Sequence, residues 1–312
     1  MSTVAGQSEE PRIASSDAFK DLAMRQQATL ADVAVVEGFG YWSGKDVRIE
    51  FHPAEVNSGY FFVRDDLTVP VRIPASVNHR VETPRRTTLV HEGSQVEMVE
   101  HVLAALSGLG VTNCEIRVNQ SEMPGCDGSA KAFVEAIDRA GIELQNELQP
   151  RLIVQEPIRV GDDEHWIEAR PSHDDSTSFR YRLDYTDSSL AIGRQTVEFS
   201  IDPTVFRREI ACCRTFMLEQ EAQWLLAQGL GTRVSPQDVL VFDQDGPKEN
   251  TLLFQDECAR HKVLDMIGDF ALAGCRIVGK VIAHRTGHRL NAEFVRALLT
   301  EEKIESQPRK VG

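Results

Sequence analysis

The sequence lacks an excess of positive charge. Its 312 residues include 34 Lys and Arg against 48 Asp and Glu, which gives a formal net charge of −14. Proteins that bind nucleic acid generally need a basic face, so this composition argues against general nucleic-acid binding. It still permits one anionic ligand held by a few local cations, and we expect the partner to be a small molecule.

Long apolar runs are also missing. No stretch approaches the roughly 18 apolar residues that a membrane-spanning helix requires. The first residues, MSTVAGQSEEPRIASSD, have no apolar core of the kind found in secretory signals. We predict a disordered polar tail over 1–24, and we expect a cytoplasmic protein with at most peripheral membrane contact.

Disulfide and nucleophile signatures are absent as well. No CxxC pair occurs among the six cysteines, which are Cys114, Cys126, Cys212, Cys213, Cys258 and Cys275. Scattered thiols fit a reducing compartment better than a disulfide framework. The sequence has neither a G-x-S-x-G elbow nor an H-E-x-x-H helix, and GFGYWSGKD at 38–46 has the wrong spacing for a phosphate loop. We interpret the adjacent Cys212 and Cys213 as packing residues.

What the sequence does contain is one structural pattern that occurs twice. QVEMVEHVLAALSG at 95–108 has apolar residues at helical spacing and ends at a glycine, and a strand-like run, a turn and a second helix follow. The same order recurs about 160 residues later, beginning with ARHKVLDMIGDFALAG at 259–274. Alternating strand-like segments precede each copy. We therefore predict an α+β protein with two related domains, 25–147 and 148–302.

The second copy begins with the most informative helix. His261, Asp265 and Asp269 are spaced i, i+4 and i+8, so their side chains project in one row beside apolar neighbours. Buried imidazole and carboxylate groups need partners, and a divalent ion bound by the first two is one such partner. A solvated helix face is the alternative interpretation. Asp269 favours the metal, because a carboxylate there could orient a second histidine.

Two further histidines are candidate site residues. Glu100-His101 lies in the first predicted helix, where the histidine could be a third metal ligand and the carboxylate a general base. A surface Glu-His pair is the alternative. Gly287-His288 forms the predicted turn before the last helix, a position suited to proton donation or oxyanion stabilisation. Its alternative is a turn histidine in solvent.

These segments together resemble a known enzyme family. VEHVLAALSGLGVTN, DGSAKAFV, RTF, RHKVLDMIGD and GHRLN occur in the order found in UDP-3-O-acyl-N-acetylglucosamine deacetylases, the zinc enzymes of bacterial lipid A synthesis. The similarity runs from about Arg25 to about Leu299. It implies two α+β domains, each a helix layer on a β-sheet, with the active site between them. It also implies an insert near 217–245 that forms an apolar passage for the acyl chain.

The resemblance assigns the site residues and the reaction. Zinc, with Fe²⁺ as the alternative, would be held by His101, His261 and Asp265. The other roles it implies are a general base at Glu100, a general acid at His288, an orienting carboxylate at Asp269, an oxyanion contact at Thr215, and substrate contacts at Lys262 and Phe216. The expected reaction converts UDP-3-O-acyl-N-acetylglucosamine to UDP-3-O-acyl-glucosamine and acetate. A monomer with a tail over 303–312 is expected.

The chain also departs from the family pattern, at positions other than the metal and acid–base residues. Trp42 stands where a histidine is usual, Gly125 and Cys126 replace two apolar residues, Cys213 replaces an alanine, and 232–242 lacks the usual Gly-Gly-Ser and downstream Asn. These differences bear on the substrate more than on the reaction. The alternatives are therefore a divergent deacetylase of another acylated amino sugar, or a non-catalytic zinc-binding relative with a regulatory role. Glu100 and His288 count against the latter, since zinc binding requires neither.

Overall fold

The computed structural model describes residues 26–301 and 304–305. The predicted tail over 1–24 and most of the predicted tail over 303–312 lie outside the described residues. Helices and sheets are mixed along the chain, which confirms the α+β class. Among the helices described, none is both long and apolar enough to cross a bilayer.

The N-terminal half, residues 26–148, consists of three small sheets, two α-helices and a 3₁₀ helix at Val77–His79. Its elements are β1 (Gln26–Leu30), β2 (Ala34–Phe39), β3 (Asp46–Pro53), β4 (Tyr60–Arg64), β5 (Val71–Pro74), β6 (Arg80–Val81), β7 (Thr88–His91), β8 (Ser94–Glu97), α1 (Glu100–Gly108), β9 (Cys114–Val118), α2 (Lys131–Ala140) and β10 (Ile142–Leu148). The main sheet has the order β2-β3-β9-β4-β5, and β6-β7-β8 and β1-β10 form the others. Alternate residues of β3 are buried, as the period of a strand requires.

The C-terminal half begins at residue 151 and is organised around one long strand. Its elements are β11 (Arg151–Ile153), β12 (Ile158–Gly161), β13 (Trp166–Arg170), β14 (Thr177–Asp184), β15 (Arg194–Ser200), β16 (Phe216–Leu218), α3 (Glu219–Ala227), β17 (Leu240–Phe242), α4 (Glu257–Ala271), β18 (Arg276–His284), α5 (His288–Glu301) and β19 (Ile304–Glu305). Strand β18 pairs with β11, β13 and β14 in a seven-stranded sheet. Helical turns at Pro203–Val205 and Phe206–Ile210 precede β16.

Helices α1 and α4 pack directly against each other and connect the two halves. Nearly every residue of both helices is buried. Their backbones meet at Gly268, where a Cβ atom would overlap the carbonyl oxygen of Glu100. Glycine is therefore required here for close approach. The first turn of α1 consequently lies against the middle of α4, where the polar row of the sequence is located.

Two predicted boundaries differ from the structure. The helix predicted over 95–108 begins only at Glu100, because 94–97 is strand β8 and Met98 has a left-handed φ of 59°. Val96 is buried in the strand, so its apolar character fitted the helical pattern equally well. His288 is the first residue of α5 and not part of the preceding turn. The division into domains at 147/148 stays a prediction.

Candidate metal centre and active site

Three buried side chains form a compact cluster at the crossing of α1 and α4. His101 comes from the first turn of α1, and His261 and Asp265 are one turn apart on α4. Their ligand atoms all lie within 4.8 Å of one another. Asp265 Oδ1 is 3.5 Å from His101 Nε2 and 3.4 Å from His261 Nε2. A tetrahedral ion with bonds of about 2.0–2.1 Å places its ligand atoms about 3.3–3.5 Å apart, so this spacing suits such an ion.

The electrostatics of the cluster favour the metal-binding protonation states. His261 Nδ1 is 3.0 Å from the carbonyl oxygen of Cys213, and donation there leaves the Nε2 lone pair facing the cluster. Burial lowers the pKa of His261 to about 3, so its ring is neutral. Burial opposes ionisation of Asp265, but the Lys262 ammonium, 2.9 Å from Oδ2, holds the pKa of this carboxyl well below its usual range. Both groups are thus in the form that binds a cation.

A hydrogen-bonded chain lies next to the cluster. The buried Glu100 accepts the backbone N–H of Thr87 at Oε2, over 3.0 Å. The Thr87 hydroxyl donates to Asp269 Oδ1 at 2.6 Å. Asp269 Oδ2 accepts from His288 Nδ1 and Asn291 Nδ2, each at 2.8 Å. His288 Nε2 is 3.9 Å from Glu100 Oε1, so the two ends of the chain lie close together but beyond hydrogen-bond distance.

The proton affinities of Glu100 and His288 suit them to different roles, the first as a proton acceptor and the second as a proton donor. Burial raises the pKa of the Glu100 carboxyl, which makes it a better proton acceptor than an exposed glutamate. Burial opposes protonation of His288, but the carboxylates of Asp269 and Glu100 outweigh it and raise its pKa to about 9. The pair therefore combines a carboxyl group of increased proton affinity with a histidine that favours its protonated form, within 4 Å of each other. Such a pair can accept one proton and donate another.

A cavity of about 340 Å³ adjoins these groups. Glu100, His101, His261, Asp265 and His288 line its polar part. Thr215 and Phe216 also line it, and the apolar wall includes Met98, Leu225, Leu226, Leu230, Val234, Val239 and Val241. The cavity is thus polar beside the cluster and mostly apolar along α3 and the segment that follows it, where Glu219, Gln223 and Ser235 are the polar members of the wall.

The structure places the other predicted residues around the same cluster. Along α4, Asp265 faces His101 and His261, while Asp269 faces His288. Lys262 Nζ contacts Asp265 and lies 5.6 Å from the ring centroid of Phe216. Cys213, the second residue of the Cys212-Cys213 pair, is buried, and its carbonyl oxygen contacts His261.

Sequence reasoning missed two members of the hydrogen-bonded chain. Asn291 follows His288 by three residues, so both project from the same face of α5 toward Asp269. That spacing within GHRLN is a signal that could have identified it. Thr87 lies in the connection between β6 and β7, where no periodicity exists, and nothing in its local sequence indicates its contacts.

Comparisons with known proteins identify the family of the chain. The family model described as UDP-3-O-acyl N-acetylglycosamine deacetylase (LpxC) matches residues 27–300. The UDP-3-O-acyl-N-acetylglucosamine deacetylases of Shewanella sp. (strain W3-18-1) and Shewanella loihica are each 36% identical to this chain over 283 residues. That of Shewanella oneidensis is 35% identical, and each alignment covers 88% of this chain and 90% of the relative. The resemblance inferred from the motifs is confirmed, and the chain belongs to the UDP-3-O-acyl N-acetylglycosamine deacetylase family.

Proposed function

We propose that this protein hydrolyses the N-acetyl group of UDP-3-O-acyl-N-acetylglucosamine, giving UDP-3-O-acyl-glucosamine and acetate. Family membership and the names of the relatives support deacetylation. The observation that carries the proposal is the Glu100–His288 pair, which places a proton acceptor and a proton donor 3.9 Å apart beside a His-His-Asp cluster. Amide hydrolysis requires both functions, whereas a binding protein requires neither.

His101, His261 and Asp265 would hold the metal, and zinc fits this donor set and spacing best. Two imidazoles and one carboxylate make three protein ligands, the number typical of catalytic zinc sites. Fe²⁺ is the alternative, since it accepts the same ligand types. When bound, such an ion would polarise the acetyl carbonyl and make a nearby water more acidic.

Glu100 acts as the general base. Its Oε2 is engaged by the Thr87 backbone N–H, so Oε1, the oxygen nearer His288, is the atom available to a water. As the water oxygen bonds to the acetyl carbon, Oε1 takes its proton. The raised pKa of the buried carboxyl favours this transfer, because the proton then resides on a group of higher affinity.

His288 stabilises the oxyanion and donates a proton to the departing amine. Asp269 holds Nδ1, so the protonated Nε2 faces the reacting groups. Its positive charge stabilises the oxyanion that develops on the acetyl oxygen, and Thr215 at the cavity wall adds a hydroxyl donor. When the C–N bond breaks, Nε2 donates its proton to the departing nitrogen. Acetate and a free amino sugar result.

The remaining parts of the site bind the substrate. Phe216 packs on the sugar, and the ammonium of Lys262 contributes positive charge next to it. The apolar cavity along α3 takes the 3-O-acyl chain, and the insert at 217–245 contributes one side of its wall. We assign 25–147 and 148–302 to separate domains with this site between them, since the ligand set combines α1 with α4.

Deacetylation of UDP-3-O-acyl-N-acetylglucosamine by zinc-loaded protein tests the proposal, with Glu100→Ala and His288→Ala measured alongside. We expect kcat to fall by about two to four orders of magnitude in each variant, while the zinc content measured by atomic spectroscopy stays stoichiometric. Removing the metal with a chelator should abolish turnover and lower Tm, because a ligand that binds only the native state stabilises it. Stoichiometric zinc in the wild type without turnover would refute the proposed reaction.

A further inference from the structure

The segment between α3 and β17 is attached to a turn of the N-terminal half. Arg233 Nη1 donates to the carbonyl oxygen of Gly44 at 3.1 Å and pairs with Asp46 Oδ1 at 2.6 Å. Its guanidinium also lies 4.4 Å above the ring of Phe39. These contacts join residues nearly 190 positions apart in the chain. They hold the segment 228–239 against the end of β2 and the start of β3.

Tyr41 makes the buried part of the same attachment. Its hydroxyl is 2.7 Å from the carbonyl oxygen of Asp238 and 3.1 Å from that of Cys126. The ring is buried and lies so close to Gly125 that a Cβ atom there would overlap it. Glycine at 125 is therefore required for the tyrosine ring to reach Asp238.

The turn that presents Tyr41 is itself held in place. The buried carboxylate of Glu122 accepts the backbone N–H of Trp42 at Oε1 over 2.7 Å and that of Ser43 at Oε2 over 2.8 Å. The guanidinium of Arg86 lies 4.6 Å from the ring of Trp42. Tyr41 and Trp42 both line the cavity. The turn at 40–46 is thus a fixed surface on which the segment 228–239 is positioned.

Both sides of this attachment are walls of the apolar cavity. Tyr41 and Trp42 contribute one side, and Leu230, Val234, Pro236 and Val239 contribute the other. This contact region includes several positions at which the sequence departs from the family pattern. They are Trp42, Gly125, Cys126 and the segment 232–242. The cavity is therefore walled by two parts of the chain that are distant in sequence and joined by hydrogen bonds.

We propose that the contact between the turn at 40–46 and the segment at 228–239 determines which acyl chains the protein accepts, with Tyr41 and Arg233 as the positioning residues. The inference depends on the proposed function, since it assumes that the cavity receives the acyl chain. A wall held in place from both sides limits the volume of the apolar cavity. Each methylene of the acyl chain that fits is stabilised by burial, and each additional methylene is destabilised by steric overlap. Releasing the segment lets the wall move and weakens that discrimination.

The experiment measures kcat and KM for UDP-3-O-acyl-N-acetylglucosamines with acyl chains from butanoyl to octadecanoyl. Zinc-loaded wild type is compared with Arg233→Ala, Arg233→Lys, Tyr41→Phe and the double variant Tyr41→Phe/Arg233→Ala. We expect the preference in kcat/KM for the best chain over the next longer chain to fall about threefold in the single variants and about tenfold in the double variant, mainly through KM. Arg233→Lys retains the charge facing Asp46 and should recover part of the preference.

Arg207→Ala is the matched control. Arg207 also forms an ion pair between the two halves, with Asp138 at 2.7 Å. Its side chain is about as exposed as that of Arg233, but neither Arg207 nor Asp138 lines the cavity. We expect its chain-length profile to be that of the wild type. Identical profiles for wild type, Arg233→Ala and Tyr41→Phe, with turnover intact, would overturn the inference and leave the deacetylase function standing. If Tyr41→Phe does not fold, as judged by thermal unfolding, the Arg233 variants decide.

Binding of free fatty acids of the same lengths, measured by calorimetry, separates the inference from the proposed function. A wild type that turns over no substrate, but binds chains with a length preference that Arg233→Ala weakens, would refute the deacetylation and support the cavity wall. A wild type that neither turns over a substrate nor binds an acyl chain would overturn both.

Discussion

Asp269 Oδ2 and His288 Nδ1 are joined by a hydrogen bond of 2.8 Å, and this bond determines which nitrogen of the imidazole faces Glu100. The same carboxylate is the main positive influence on the proton affinity of His288, against the opposing effect of burial. The same residue of α4 therefore orients the proposed acid and makes the largest contribution to its positive charge, to which Glu100 adds. The first prediction follows from this dependence.

Asp269→Asn should move the alkaline limb of the pH–rate profile. The pKa of His288 is raised to about 9, so the proposed acid is lost as pH rises through that value and kcat/KM falls. An amide in place of the carboxylate removes the charge, lowers the pKa of His288 and brings the limb to lower pH. The measurement is kcat/KM against pH for both proteins. An alkaline limb that stays in place in the variant would contradict the assigned role.

Thr87→Val should reduce kcat with little change in KM. The substitution removes the hydroxyl that donates to Asp269 Oδ1 but keeps the backbone N–H that binds Glu100. Losing one hydrogen bond to a buried carboxylate costs about 1.5–3 kcal/mol, so we expect kcat to fall by about one to two orders of magnitude.

The neighbouring threonine provides the control for that substitution. Thr88 is buried too, but its hydroxyl has no hydrogen-bond partner within residues 26–301. Thr88→Val should therefore leave kcat unchanged and be neutral or stabilising in thermal unfolding. Equal losses of kcat in the two variants would show that the effect of Thr87→Val comes from packing and not from the hydrogen-bonded chain.

Gly268→Ala should damage both stability and metal binding. The added methyl group would overlap the Glu100 carbonyl, so α1 and α4 must separate and His101 must move from its partners. Overpacking of this kind costs about 1–3 kcal/mol. Denaturant unfolding and zinc titration measure the two effects. Gly287→Ala is the control, because a Cβ there meets nothing within 4 Å and its φ is not positive.

Arg214→Ala should be the most destabilising substitution near the site. Glu257 is fully buried and accepts hydrogen bonds from the backbone and side chain of Arg214 and from the backbone of Leu253. Removing the guanidinium leaves a buried carboxylate without its cation, which costs about 3–5 kcal/mol. Arg289→Ala breaks an exposed pair with Glu293 and should change the free energy of unfolding by less than ~0.5 kcal/mol. Similar unfolding midpoints for both variants would contradict this prediction.

The sequence predicted those features of the site that depend on the periodicity of a single helix. His261 and Asp265 are one helical turn apart, so their proximity followed from the helix alone. His101 was a candidate ligand from its place beside Glu100 on an apolar helix, but its proximity to His261 could not be predicted locally, because 160 residues separate the two and no local pattern encodes a contact between two helices. Thr87 and the contact of Tyr41 with Asp238 were out of reach for the same reason. Both depend on where a loop without periodicity lies once the sheets have packed.

The close approach of α1 and α4 at Gly268 has a consequence for synthesis of the chain. His101 is translated early. The other two proposed ligands lie in α4, which begins only at Glu257, and His288 follows in α5. A nascent chain that ends before Glu257 holds one of the three ligands and cannot form the cluster. Binding of a metal by the three proposed ligands would therefore have to follow translation of α4, and a prematurely terminated product would leave the ribosome without the complete ligand set.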